Sequence, residues 1–332
     1  MKHNIFQTYD KNPDKFADFQ APNDLPYPIP EDLSNRAKAR LSQPTRHMDY
    51  PAPDDAKTWG MLKAMTGQAL AAFYDDFDFP IDEKLETIAG VPTYVLHDSE
   101  VTVTDETPLY IDVHGGALVF GQGEAAATMA KPTAILTGYL VWAPDYRMPP
   151  ESPFPAGLDD VFALYQEALK TRPASKIVVG GQSAGGNLAA ALVLKLKAEG
   201  LPLPGALVLD MPELDLAETG DSFATLKLAA ANSLETLLAV NRIYAVEHDL
   251  KDPLISPLYG DMTDFPPTFL HSGTRDLFLS NTVRIHAKLT EADVDARLFV
   301  SEATPHGWFG GAPEDDQYLN ALGKFLSEKI ND

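Results

Sequence analysis

From residue 93 onward, short apolar runs rich in β-branched and aromatic residues recur, each bounded by turn formers. They fall at 93–96, 101–104, 109–113, 139–143, 176–180, 206–210, 268–271 and 296–300, and each predicts a strand. Between several of them the period lengthens to that of an amphipathic helix, at 156–170, 184–199, 282–292 and 317–329. Strands alternating with helices predict a mostly parallel sheet covered on both faces, an α/β architecture. The first part of the chain lacks this rhythm. It is rich in proline and polar residues to about residue 55, and then 59–77 shows helical periodicity with one apolar face. Residues 1–80 are therefore read as a helical arm or cap, with Phe73, Tyr74 and Phe77 as its core residues rather than pocket walls. Residues 81–332 are read as one domain. Within it, 214–258 leans to helix without a strand and reads as a cap-like insertion over one end of the sheet.

Composition narrows the function classes. The 332 residues carry 48 acidic and 26 basic side chains, a formal charge of −22, which repels phosphate backbones and anionic membranes. Nucleic acid is thus a poor partner, and a neutral small molecule a better one. No run approaches the roughly 20 apolar residues of a membrane span, and residues 1–10 show no apolar signal core. The absence of cysteine excludes disulfides, thiol nucleophiles and thiolate metal sites, and sits easily with a reducing cytoplasm.

The densest chemical signal is KIVVGGQSAGGNLAAALVLKLK, residues 176–197, where an apolar strand runs through Gly181-Gln182-Ser183-Ala184-Gly185 into a helix. This is a G-x-S-x-G nucleophile elbow in the strand–turn–helix setting it needs. Glycines flank the serine because a Cβ there would strike neighbouring backbone. The turn lifts the Ser183 hydroxyl to a helix N-terminus, whose N–H groups favour developing negative charge. Two rival glycine-rich motifs fail. A phosphate-binding loop would need Lys-Ser or Lys-Thr after the last glycine, and Gly186 is followed by Asn187. The spacing of Gly180, Gly181, Gly185 and Gly186 does not supply the dinucleotide fingerprint either.

The strand 109–113 ends in His114-Gly115-Gly116-Ala117, an HGG run of the kind that builds an oxyanion hole. The expected donors are the N–H groups of Gly115, Gly116 and Ala184, with His114 in a structural role. An elbow of this type takes its base from a loop after the last strand and its acid from the end of the strand before. Of eight histidines only His306, in TPHGW, meets that condition. His271 falls in a strand and His286 on a helix, which marks them as packed or surface residues. Asp276 in HSGTRDLF is the expected acid, set to orient the imidazole and stabilise its cation. Asp210 and Asp215 also follow a strand, but one strand too early.

With these motifs in place, the chain from about residue 108 resembles the bacterial hormone-sensitive-lipase-like family of α/β-hydrolases. The resemblance rests on HGGA at 114–117, PDYRMPPESPFPAGLDD at 144–160, GQSAGG at 181–186 and TPHGW at 304–308. It implies the α/β-hydrolase fold with a helical cap, and hydrolysis of short-to-medium acyl esters through an acyl-enzyme, without metal or organic cofactor. It also implies a tendency to homodimers, and a structural role for Asp215 in PELDLAETGDSF. Two positions depart from the family pattern. Ala117 stands where a third glycine is usual, which predicts a narrower acyl pocket, and Gln182 stands where Asp or Thr is usual. Lactone, amide or carbamate hydrolysis on the same triad, or a non-catalytic binding protein in the same shell, are the competing readings.

Overall fold

The computed structural model describes residues 1–22, 25, 27–43, 50–52, 54–226 and 234–330. Its centre is one sheet of eight strands: β1 (Ile81–Ile88), β2 (Val91–Asp98), β3 (Leu109–Val113), β4 (Leu140–Pro144), β5 (Ile177–Gln182), β6 (Ala206–Asp210), β7 (Thr268–Arg275) and β8 (Ala296–Pro305). The spatial order is β1-β2-β4-β3-β5-β6-β7-β8. The β1–β2 and β2–β4 pairs are antiparallel and all the others parallel. Among the described residues ten α-helices accompany the strands: α1 (Ile5–Tyr9), α2 (Asn35–Leu41), α3 (Ala56–Ala71), α4 (Glu124–Thr137), α5 (Ala156–Thr171), α6 (Ala184–Ala198), α7 (Asp221–Thr225), α8 (Leu234–Ala245), α9 (Leu279–Glu291) and α10 (Pro313–Ile330).

Strand alternation divides the interior into two cores. Leu109, Ile111 and Val113 of β3 point to the face covered by α5, α6 and α9. Tyr110 of the same strand points to the face covered by α1, α4 and α10. The central parallel strands β5 and β6 are near-continuous apolar runs because both faces are buried, whereas the parallel edge strand β8 is mostly half-buried.

Two elements escape the sequence pattern. β1 reads IDEKLETI, is largely exposed at the sheet edge, and so lacks an apolar face to betray it. Its clue is the two-residue turn Ala89-Gly90, with φ of 49° and 85°, the geometry of a tight hairpin. α4 contains Pro132, a substitution that ordinarily costs a helix about 3 kcal/mol. Here the alanine-rich segment is buried along most of its length, and that packing outweighs the lost hydrogen bond. Conversely, 101–104 is not a strand. The alternation of VTVT runs along the surface beyond β2 and joins no ladder.

The insertion expected at 214–258 holds α7 and α8, and its stretch 227–233 lies outside the described residues. Tyr50, Thr66 and Leu70 of the arm line a cavity beside Ser183, at the carboxyl end of β5, while Ile5 and Phe6 of α1 pack with α4 and α10. Trp59 of α3 is fully buried against Val119, Phe120 and Val240, so it joins the arm to the loop after β3 and to α8. Phe77 is core, as the sequence suggests, packing on Phe6 and Phe79. Phe73 and Tyr74 share that cluster but also line a cavity, so they are core and wall at once. Among the described residues no helix is long and apolar enough to cross a membrane. Trp59→Ala is expected to lower stability by about 3–5 kcal/mol, read as a fall in the urea midpoint at unchanged slope.

Candidate active site

β5 passes into α6 through Ser183, whose φ of 56° and ψ of −120° lie outside the ordinary regions for an L-residue. The flanking glycines are obligatory on steric grounds. A Cβ on Gly181 would stand 2.4 Å from the Val113 carbonyl oxygen, and one on Gly185 only 1.8 Å from it. The strained serine is held from both sides by the end of β6. Its N–H donates to the Asp210 carbonyl at 2.9 Å, and its own carbonyl accepts the Glu213 N–H at 3.1 Å.

The three residues expected as nucleophile, base and acid meet here. Ser183 Oγ lies 2.9 Å from His306 Nε2, and His306 Nδ1 lies 2.9 Å from Asp276 Oδ1. Asp276 is fully buried, and its remaining capacity is taken by the Ser272 hydroxyl at 2.6 Å and the Phe278 N–H at 3.1 Å. That leaves the carboxylate fixed in position and obliges His306 to carry its proton on Nδ1, with Nε2 free to accept from Ser183. Burial alone would lower the His306 pKa. The charge and hydrogen bond of Asp276, with further charge from Glu213 and Asp210, outweigh it and hold the imidazole above its ordinary value.

Gly115 and Gly116 line the same cavity as Ser183 and His306, and Ala184 opens α6 directly after the serine. Gly116 has a φ of 128°, and a Cβ there would lie 2.3 Å from the Phe120 carbonyl oxygen. Ala117 follows at φ 53° and faces the cavity, a left-handed position where glycine would carry no penalty. His114 is buried, and burial depresses its pKa to about 4 despite a bond to the Gly115 carbonyl. The neutral ring therefore donates from Nδ1 to that carbonyl at 2.8 Å, and it stacks on Tyr146 at 4.1 Å. Its part is to shape the loop. From the arm, Tyr50, Thr66 and Leu70 line the cavity, whose volume is about 230 Å³.

The other candidates are accounted for elsewhere. Asp210 accepts from His271 Nδ1 at 2.6 Å, from Trp308 Nε1 at 2.9 Å and from Gln182 Nε2 at 3.1 Å, and makes no hydrogen bond to His306. Asp215 takes Arg284, Thr219 and Tyr259 and braces its own loop. His286 lies half-buried on α9. Sequence reasoning missed Asp315, which accepts the N–H groups of Phe309, Gly311 and Ala312 at 2.8–3.1 Å and so pins the loop carrying His306. It also missed Glu213, a buried wall of the Ser183 cavity. Burial raises the carboxyls of Glu213 and Glu218, and the charge of Glu213 raises Glu218 further. No local motif announces either role.

The chain is similar to known proteins in sequence and in fold. A family model described as the alpha/beta hydrolase fold matches residues 110–310. An esterase of Acinetobacter venetianus is 35% identical over 231 residues, 67% of this chain and 75% of the relative. An acetyl-hydrolase of Streptomyces hygroscopicus is 36% identical over 226 residues, covering 66% and 75%. Among solved structures, esterase E25 superposes with a TM-score of 0.82 at 37% identity, covering 94% of this chain and 98% of that one. An esterase from the bacterial hormone-sensitive lipase family gives 0.77 at 29% identity, covering 89% and 96%.

The electrostatics can be read without any substrate. In an NMR titration the His306 ring is expected to protonate above the ordinary value of about 6.5. Asp276→Asn removes the charge that favours the imidazolium, so the midpoint should fall. Glu213→Gln should move it the same way by less, and an upward shift in either variant would contradict the assignment.

Proposed function

The chain belongs to the α/β-hydrolase family, among the bacterial hormone-sensitive-lipase-like carboxylesterases, and we propose that it cleaves short-to-medium acyl esters through an acyl-enzyme on Ser183. The observation that carries this reading is the unbroken hydrogen-bonded chain from Ser183 through His306 to the buried Asp276, at 2.9 Å per link, on the wall of a cavity of about 230 Å³.

In this mechanism His306 takes the Ser183 proton as the hydroxyl attacks the ester carbonyl. The oxyanion rests on the N–H groups of Gly115, Gly116 and Ala184, donors worth about 3 kcal/mol each when placed in advance. His306 then gives its proton to the leaving alcohol. Water enters, loses a proton to the same ring, attacks the acyl-enzyme, and the carboxylic acid departs. No step calls on a metal or organic cofactor. The arm, residues 1–80, acts as the cap, a reading supported by Tyr50, Thr66 and Leu70 on the wall of the cavity. The net charge of −22 favours a neutral ester. The reading extends to a cytoplasmic homodimer, in keeping with the missing cysteines and the family habit.

A series of p-nitrophenyl esters of increasing acyl length tests the proposal. Turnover should peak at short-to-medium chains and fall by about 10⁴-fold or more in Ser183→Ala. Activity that survives the substitution would remove Ser183 from its role. Turnover of lactones or amides in preference to every ester would shift the reading to those substrates. The acid limb of kcat/KM should track the His306 midpoint, since only the neutral ring can accept the serine proton.

A further inference from the structure

The Ser183 cavity does not end at the nucleophile. A second chamber of about 200 Å³ adjoins it, the two sharing Leu70, Gly115, Met129, Gln182 and Gly307 as walls. Strand alternation dictates what lies at its floor. Asp112 of β3, Gln182 of β5 and Asp210 of β6 stand side by side, since Asp112 pairs with Gly180, two residues before Gln182, and Gln182 pairs with Asp210. All three line the chamber, beside Tyr110. The sides are mostly apolar, including Phe73 from the arm and Leu319 from α10, with Arg40, Thr133 and Tyr318 among them.

Asp210 is saturated by its three hydrogen bonds, whereas Asp112 engages the Thr133 hydroxyl and is otherwise turned to the chamber. An apolar corridor ending in a carboxyl group is built for a chain that is hydrocarbon along its length and polar near its end. An unadorned alkyl chain would press against Asp112 and displace water from its carboxyl with no hydrogen bond in exchange.

We propose that this chamber is an acyl subsite, that Asp112 is its specificity-determining residue, and that the preferred substrates are esters whose acyl chain carries a hydroxyl group. The inference rests on the esterase reading above. The acyl arm is assigned by elimination around the carbonyl carbon. The oxyanion points to the glycine loop, and the leaving oxygen must reach His306, which lines the first cavity and not the second. The remaining direction, past Gln182, belongs to the acyl group. A hydroxyl fits better than a charged terminus. Asp112 and Asp210 oppose a carboxylate, and Arg40 on the wall opposes an ammonium. Burial, opposed by the Thr133 hydrogen bond and helped by the Asp210 charge, pushes the Asp112 carboxyl up to about 7. Near neutrality it can therefore both donate to and accept from a hydroxyl.

The test compares ethyl hexanoate, its ω-hydroxy counterpart, and a hexanoate ester bearing the hydroxyl on the alcohol arm, all at neutral pH with the full chain. Wild type should favour the hydroxyacyl ester by about 10-fold or more in kcat/KM. Asp112→Ala should bring the ratio to about 1, and Asp112→Asn, which keeps the shape and a hydrogen-bonding group, should restore part of it. A melting temperature for each variant separates loss of preference from loss of fold. A wild-type ratio near 1, a ratio unchanged in a folded Asp112→Ala, or a preference for the hydroxyl on the alcohol arm would overturn the proposal while leaving the esterase intact. No turnover of any of the three would overturn both.

Discussion

The site hangs on a single close approach: the carbonyl of Val113, at the end of β3, occupies the space that a side chain on either flank of Ser183 would need. Only glycine at 181 and 185 lets β5 turn into α6 there. The reward of that contact is position, because it raises the serine hydroxyl above the sheet and points the first N–H groups of α6 at the same spot. A residue with φ 56° and ψ −120° stores strain of order 1–3 kcal/mol, and it persists only where its surroundings leave no alternative. Here the surroundings are the end of β6, which takes both backbone groups of Ser183. The elbow is therefore a joint of three strands, β3, β5 and β6, and not a property of the pentapeptide alone.

A chain with 48 acidic residues must bury several of them, and the way each is satisfied decides its role. Asp315 and Asp316 are neutralised mainly by backbone N–H groups, so they act as pins, one for the His306 loop and one for α1. Asp215 has Arg284. Asp276 lacks a permanent cation and is given instead a hydroxyl, an N–H and an imidazole that becomes charged during turnover. Its incomplete compensation is what raises the His306 pKa. Glu213 and Glu218 are buried as well, and burial, with the Glu213 charge acting on Glu218, holds both carboxyls above the usual carboxylate range.

Much of this was legible in the sequence because it is carried by backbone demands on residue type. The glycines at 115, 116, 181 and 185 mark close approaches, and chain order alone separates His306 and Asp276 from their rivals. The central parallel strands were legible because burial on both faces makes them largely apolar. β1 was not, since an edge strand has no core face to conserve a pattern, and α4 was not, since tertiary burial overrides the local penalty of Pro132. The stretch 101–104 failed for the opposite reason: its alternation is real, but no neighbouring strand receives it. Asp112, Glu213 and Asp315 gain their surroundings only when distant segments assemble, and nothing adjacent to them in the chain could have announced it.

The structure also contains its own control for reading a triad from geometry. Ser301 Oγ lies 2.8 Å from His271 Nε2, and His271 Nδ1 lies 2.6 Å from Asp210 Oδ1, the same connectivity as Ser183, His306 and Asp276. Yet Ser301 sits within β8, registered against Gly273 of β7, and no helix begins there to receive an oxyanion. His271 is buried in the sheet and stacked on Tyr318 at 3.9 Å, so its ring has no room to pass a proton to a leaving group. Asp210, for its part, is also committed to Trp308 and Gln182. This second constellation ties β6, β7 and β8 together and braces the His306 loop through Trp308. What separates the two sets is not the hydrogen-bond chain but the strained turn, the helix N-terminus and the cavity around Ser183, where a substrate carbonyl and its developing charge can be accommodated.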